Sequence, residues 1–151
     1  MWLSIFIHVK LSLQLYFRNS DSEKYFCANA DKGQEPIIYC PRIENALDFQ
    51  IVHVRDGISY IRTTTGSDMS INVKDGKLLL HTQHASFNPD FKMNLIGPNR
   101  FSMINKNKCV DFNEDTKTYS TKDCTYSSNQ IFSIVTRDRL DPSMRQVRTH
   151  G

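Results

Sequence analysis

The 151-residue chain is short of glycine, proline and tryptophan, with six, five and one respectively. No glycine-rich phosphate loop occurs: G-x-G-x-x-G and the P-loop are both absent, as are H-E-x-x-H and G-x-S-x-G. An enzyme therefore has no positive support, and neither a cofactor nor a metal is expected. Charge of one sign is also missing from the body of the chain. The formal net charge is +3, much of it in residues 136–151, where four arginines face two aspartates. A nearly neutral body without a Lys/Arg cluster lacks the footprint that phosphate neutralisation requires, so nucleic acid is not the expected partner. Apolar runs are short as well. The longest, near the N-terminus, is far too short to span a bilayer. With 39% of its residues hydrophobic, the chain is neither a disordered tail nor a polytopic membrane protein.

What the sequence does contain is a repeat. Phe49, Phe91 and Phe132 are each followed two residues later by Ile51, Met93 and Ile134, at a period of about 42 residues. Cys27, Met69 and Cys109 precede them, with Cys40, Thr82 and Cys124 between. Helical periodicity is absent over the middle unit. Ser70, Ile71, Asn72 and Val73 alternate, Asp75-Gly76 supplies a turn, and Leu78, Leu79 and Leu80 follow, which is the pattern of a β-hairpin. Three copies with little glycine argue against a longer solenoid. Three all-β units predict a β-trefoil, since closure into a barrel removes unpaired strand edges. A β-sandwich also has short strands, but gives no reason for landmarks to recur together.

The fold class is thus all-β, a β-trefoil of three lobes over residues 13–135, beginning with a strand over Leu13–Arg18. Residues 1–12, with Trp2, Leu3, Ile5, Phe6, Ile7 and Val9, are either a leader or an extra edge strand. Residues 136–151 are expected to be a basic, disordered tail.

Four cysteines admit three pairings. The repeat selects among them. Met69 and Thr82 replace both cysteines of the middle lobe at once, as expected if the two positions within a lobe are partners. This predicts Cys27–Cys40 and Cys109–Cys124, each restricting the unfolded chain by roughly 3 kcal/mol. Such bonds persist in an oxidising compartment, so the protein is expected to be secreted or displayed on the cell surface. The alternative is four buried thiols in a cytosolic protein. Zinc is disfavoured because the cysteines of a pair are not within a turn of one another.

The third lobe carries Lys108-Cys109-Val110-Asp111-Phe112, then Asp123-Cys124, then Asn129-Gln130-Ile131-Phe132-Ser133-Ile134. Here the chain resembles the ricin B-type lectins, whose lobes have a Cys-x-Asp strand, a second Cys and a Gln-x-Trp ending. The likeness is close over residues 108–134 and extends further only through the repeat. It implies a β-trefoil with disulfides inside the lobes and carbohydrate binding, commonly of galactose-type sugars.

A sugar presents adjacent hydroxyls and one apolar ring face. Its site needs a carboxylate acceptor, an amide and an aromatic platform. Asp111 supplies the first. By resemblance, Asn129 is the amide that contacts a hydroxyl, and Gln130 is a supporting group. The family's usual aromatic lies just before the second Cys, where this chain has Lys122 and Asp123. Tyr126 or Tyr119, both nearby, can substitute for it. In the other lobes the position of Asp111 is assigned to Asn29 and Ile71, so at most one competent site is expected. It would bind a monosaccharide on the order of millimolar, about −4 kcal/mol. The rival reading is an extracellular structural or protein-interaction trefoil that has lost sugar binding. His81 and His84 are read as solvated loop histidines, and Glu114 and Asp115 as turn residues.

Overall fold

A computed structural model describes residues 12–28, 34–64, 69–82 and 88–139. Residues 1–11 and 140–151, Asn29 and His84 lie outside the described residues, so all of the leader but Ser12 and most of the expected tail do too. Strands β1 (Ser12–Asn19), β2 (Tyr25–Cys27), β3 (Glu35–Pro36) and β4 (Ile38–Cys40) come first. They are followed by β5 (Phe49–Arg55), β6 (Ile58–Thr63), β7 (Met69–Lys74) and β8 (Lys77–Thr82). Then come β9 (Phe91–Gly97), β10 (Arg100–Asn105), β11 (Lys108–Asn113), β12 (Thr118–Lys122) and β13 (Phe132–Arg139). Two single-turn 3₁₀ helices, Ile43–Asn45 and Ser128–Gln130, precede β5 and β13. Among the described residues no helix is long and apolar enough to cross a membrane.

Turn chemistry explains why these strands fold back on themselves. Asp75 (φ 51°) and Gly76 (φ 73°) both occupy the left-handed region, as a two-residue turn matched to strand twist requires. The Gly76 carbonyl also accepts from the Thr121 amide at 2.7 Å, which pins the β7–β8 hairpin to β12. Lys106 and Asn107 make a like turn without glycine.

Six strands close on themselves. β1 pairs with β5, β5 with β6, β6 with β9, β9 with β10, β10 with β13, and β13 returns to β1. Closure leaves this ring without a free edge. The last strand pairs along the whole of β1, from Asn19↔Phe132 to Ser12↔Arg139. Residues 136–139, assigned above to the tail, are therefore part of the sheet. β13 keeps its register for as long as its partner continues, and β1 begins four residues before Tyr16.

Phe49, Phe91 and Phe132 each open a strand of this ring and are fully buried. Hairpins formed by β2 with β4, β7 with β8 and β11 with β12 cover one end. Their centre is Ile37, Leu78 and Tyr119, all buried. The Ile37 amide donates to the Leu78 carbonyl at 3.0 Å, and the Tyr119 amide to the Ile37 carbonyl at 3.4 Å. Rings run through the core: Phe17 lies 5.6 Å from both Phe26 and Phe49, and Phe26 lies 4.5 Å from Tyr119. Each such ring taken from water contributes roughly 1.5–3 kcal/mol. Among the described residues all four cysteines are paired, Cys27 with Cys40 and Cys109 with Cys124, as the repeat predicts.

Candidate functional site

Asp111 lies in the middle of β11, opposite Ser120, between two residues, Val110 and Phe112, that are buried in the core. It is only 9% exposed. A carboxylate this enclosed needs hydrogen-bond partners, and Gln130 provides one. Gln130, 1% exposed, spends its whole hydrogen-bonding capacity inside the protein. Its Nε2 donates to Asp111 Oδ2 at 3.0 Å and to the Asp123 carbonyl at 2.9 Å. Its Oε1 accepts from the amides of Thr125 at 2.8 Å and Tyr126 at 3.1 Å. Gln130 therefore positions Asp111 and has no atom left for a ligand. The Cys109–Cys124 bond, with Cα atoms 5.0 Å apart, holds the loop that supplies Thr125 and Tyr126 against β11.

The other Asp111 oxygen, Oδ1, has Lys122 Nζ at 4.0 Å. Asp111 and Gln130 share the wall of an open cleft of about 510 Å³ with Lys108, Thr121, Lys122, Asp123 and Thr125. Lys108 donates to Asp123, and that hydrogen bond holds the Asp123 carboxyl below the usual carboxylate range. The cleft wall thus brings together two carboxylates, two threonines and two lysines, with the Thr121 hydroxyl turned to the Gly76 carbonyl at 3.5 Å. A partner carrying several hydroxyls meets both acceptors and donors there.

Of the four residues expected at the site, Asp111 and Gln130 meet on this cleft. Asn129 and the ring of Tyr126 stand outside its wall. The Asn129 carbonyl accepts from Asn19 Nδ2 at 3.5 Å. Tyr126 is 54% exposed, and its backbone has the positive φ of 58° that turns its amide onto Gln130. Tyr119 cannot serve as a platform. It is buried in the core, its hydroxyl donates to Asn19 Oδ1 at 3.2 Å, and burial pushes the phenol's pKa well up. His81 is likewise no loop residue: it is buried in β8. Glu114 lies in the turn after β11, where Lys24 pairs with it at 2.9 Å and lowers its pKa.

Strand pairing shows which residues correspond to Asp111 in the other hairpins. β10 sets Phe101 against Phe132 and, three residues on, Ile104 against Cys109. β6 does the same with Ser59↔Phe91 and Arg62↔Ser70, and β1 with Leu15↔Phe49 and Arg18↔Tyr25. Cys109, Ser70 and Tyr25 are therefore equivalent, and two residues on come Asp111, Asn72 and Cys27. The assignment of Ile71 is corrected to Asn72, and that of Asn29 to Cys27. Ile71 instead matches Val110 and Phe26 in the core. Counting back from the phenylalanines fails because the stretch between differs in length, and a one-residue slip turns every side chain to the other face.

No family model matches the chain, and no curated protein matches it in sequence. Solved structures do. A designed threefold-symmetric protein, ThreeFoil, superposes with a TM-score of 0.70 at 12% identity, over 81% of this chain and 97% of its own. An exo-β-1,3-galactanase from Clostridium thermocellum gives 0.70 at 16% identity, covering 86% of this chain and 31% of the enzyme. An endo-β-galactosidase from Clostridium perfringens that releases GlcNAcα1-4Gal gives 0.62 at 10%, covering 82% and 32%. The chain spans about a third of the length of these two enzymes. At such identities the likeness is one of fold alone, and the fold of this chain is β-trefoil-like.

Proposed function

We propose that the chain is a secreted, ricin B-type β-trefoil of three lobes of about 42 residues, and that its third lobe binds a glycan of the galactose type. One observation carries the reading: a nearly buried carboxylate, Asp111, is held on Oδ2 by Gln130 and lines an open cleft, with Lys122 Nζ 4.0 Å from its Oδ1. A carboxylate fixed in this way accepts from two adjacent hydroxyls without first being ordered, which lowers the entropic cost of binding. Three equivalent strand crossings at Phe49, Phe91 and Phe132 support three lobes. Two disulfides support export, and the galactose-processing enzymes among the structural neighbours support a carbohydrate ligand. The role is binding, without catalysis.

On a glycan array, wild type is expected to retain galactose-terminated glycans and Asp111→Ala to lose them. Folded wild type that binds no glycan overturns the proposal. A second reading, a protein-interaction trefoil that has lost sugar binding, is favoured by the lack of any aromatic ring on the cleft wall among the described residues and by Lys122 beside Asp111. An empty array would leave that reading standing.

A further inference from the structure

A second cleft, of about 430 Å³, lies between the turn that precedes β2 and the 3₁₀ helix Ile43–Asn45. It cannot repeat the third-lobe arrangement, because Cys27 occupies the register position of Asp111 and is bonded to Cys40. Its chemistry is different. Glu23 and Glu44 both line it, and among the described residues neither makes an ion pair or a hydrogen bond. Tyr25 lines it too. Its side chain is enclosed, the residue being 7% exposed, yet its hydroxyl has no hydrogen-bond partner among the described residues. The hydroxyl itself reaches solvent, and the cleft that Tyr25 lines is the side from which a ligand can replace that water. Pro41 and Ile43 make part of the wall apolar, and Arg42 is its one cation.

We propose that this cleft binds a small ligand bearing a primary ammonium, of about the size of a hexosamine. Two unpaired carboxylates against one guanidinium leave the wall with a net negative charge, the complement of a monocation. An ammonium has three donors, and the wall has three matching kinds of acceptor in Glu23, Glu44 and the Tyr25 oxygen. Pro41 and Ile43 cover the carbon skeleton. The volume falls in the range of small-molecule sites, roughly 300–1,000 Å³. A divalent cation fits less well. Among the described residues no group of three or more His, Cys, Asp or Glu side chains converges, and Arg42 repels a double positive charge.

The test is an NMR titration of the full chain that follows the Tyr25 ring, with glucosamine, n-butylamine and N-acetylglucosamine at one ionic strength. Saturable shifts are expected with glucosamine and no response with its neutral N-acetylated form. Equal affinity for n-butylamine shows that the ammonium alone is recognised, and weaker affinity shows that the hexose contributes; both support the site. Glu44→Gln, which keeps the side-chain shape, should weaken binding about tenfold, the worth of one charge-assisted hydrogen bond. Arg42→Ala should strengthen it. Absence of saturation with both amines in the folded protein, or an equal response to N-acetylglucosamine, overturns the proposal.

Discussion

The β7–β8 and β11–β12 hairpins put a polar residue at one and the same register position and make opposite use of it. In the β7–β8 hairpin this residue is Asn72, 1% exposed. Its Nδ2 donates to the Ser70 carbonyl at 3.0 Å, with the Ser70 hydroxyl at 3.3 Å and the His81 carbonyl at 3.5 Å, all within its own hairpin. In the β11–β12 hairpin it is Asp111, tied to a glutamine 19 residues away and open on its other oxygen. A polar side chain in the strand is therefore not what makes the site. The second group, reaching in from the 3₁₀ helix before β13, takes over one side of the carboxylate and leaves the other for a ligand. Where that group is missing, the polar residue closes on its own backbone.

The most damaging way to break this comparison is Asn72→Asp. The carbonyls that accept from the amide would face a carboxylate, acceptor against acceptor, with no cation supplied. A loss of about 3–5 kcal/mol is expected from burying an unpaired charge. The loss should shrink as the pH falls, since the neutral acid regains a donor. Urea denaturation of the variant at neutral and acidic pH measures both effects. An unchanged midpoint would mean that the β7–β8 hairpin tolerates a carboxylate as the β11–β12 hairpin does.

Gln130→Leu strips the β11–β12 hairpin of its second group. Four hydrogen bonds go at once, and Asp111 Oδ2 and the amides of Thr125 and Tyr126 lose their partner. Water can reach part of this region, so a cost of about 3 kcal/mol is expected, below the sum of the individual bonds. Glycan binding should fall with it even at temperatures where the variant stays folded, because a carboxylate free to rotate must be ordered on binding. Retained binding in a folded variant would remove Gln130 from its positioning role.

Only the Asp111 side of this contrast was legible in the sequence, and the rest was hidden for identifiable reasons. The motif around Cys109 and Gln130 singled out a carboxylate and an amide that the fold joins by a hydrogen bond. The joint loss of both cysteines from the middle unit led to the right disulfides. Yet Met69 and Thr82, a directly opposed pair in β7 and β8, match Lys108 and Asp123 rather than the two cysteines. The disulfides themselves are out of step: Cys40 lies opposite Tyr25, while Cys109 lies opposite Lys122, two residues before Cys124. Spacings along a chain register length, whereas the position of a side chain in a sheet is set by pairing, which only the folded structure displays. Tyr119 was misread for a related reason. Nothing local marks it as one of three residues closing the centre of the hairpin layer.

The smallest expected effect sharpens that same correspondence. Lys108→Met places at the edge of the β11–β12 hairpin the residue type found at the matching edge of the β7–β8 hairpin. Both partners of the Lys108–Asp123 pair lie at the surface, with side chains 52% and 86% exposed, so no measurable change in global stability is expected. The sensitive readout is local. Lys108 is the group that holds the Asp123 carboxyl below its usual range, through a hydrogen bond first and charge second. A group depressed in this way favours the folded state above its unfolded-state pKa, and that preference fades as the pH falls through the folded-state value. In the variant the Asp123 carboxyl-carbon titration should return toward the ordinary aspartate range, while urea midpoints stay superimposable. If Asp123 titrates unchanged, its partner is not Lys108, and the edge of the third hairpin is held by something else.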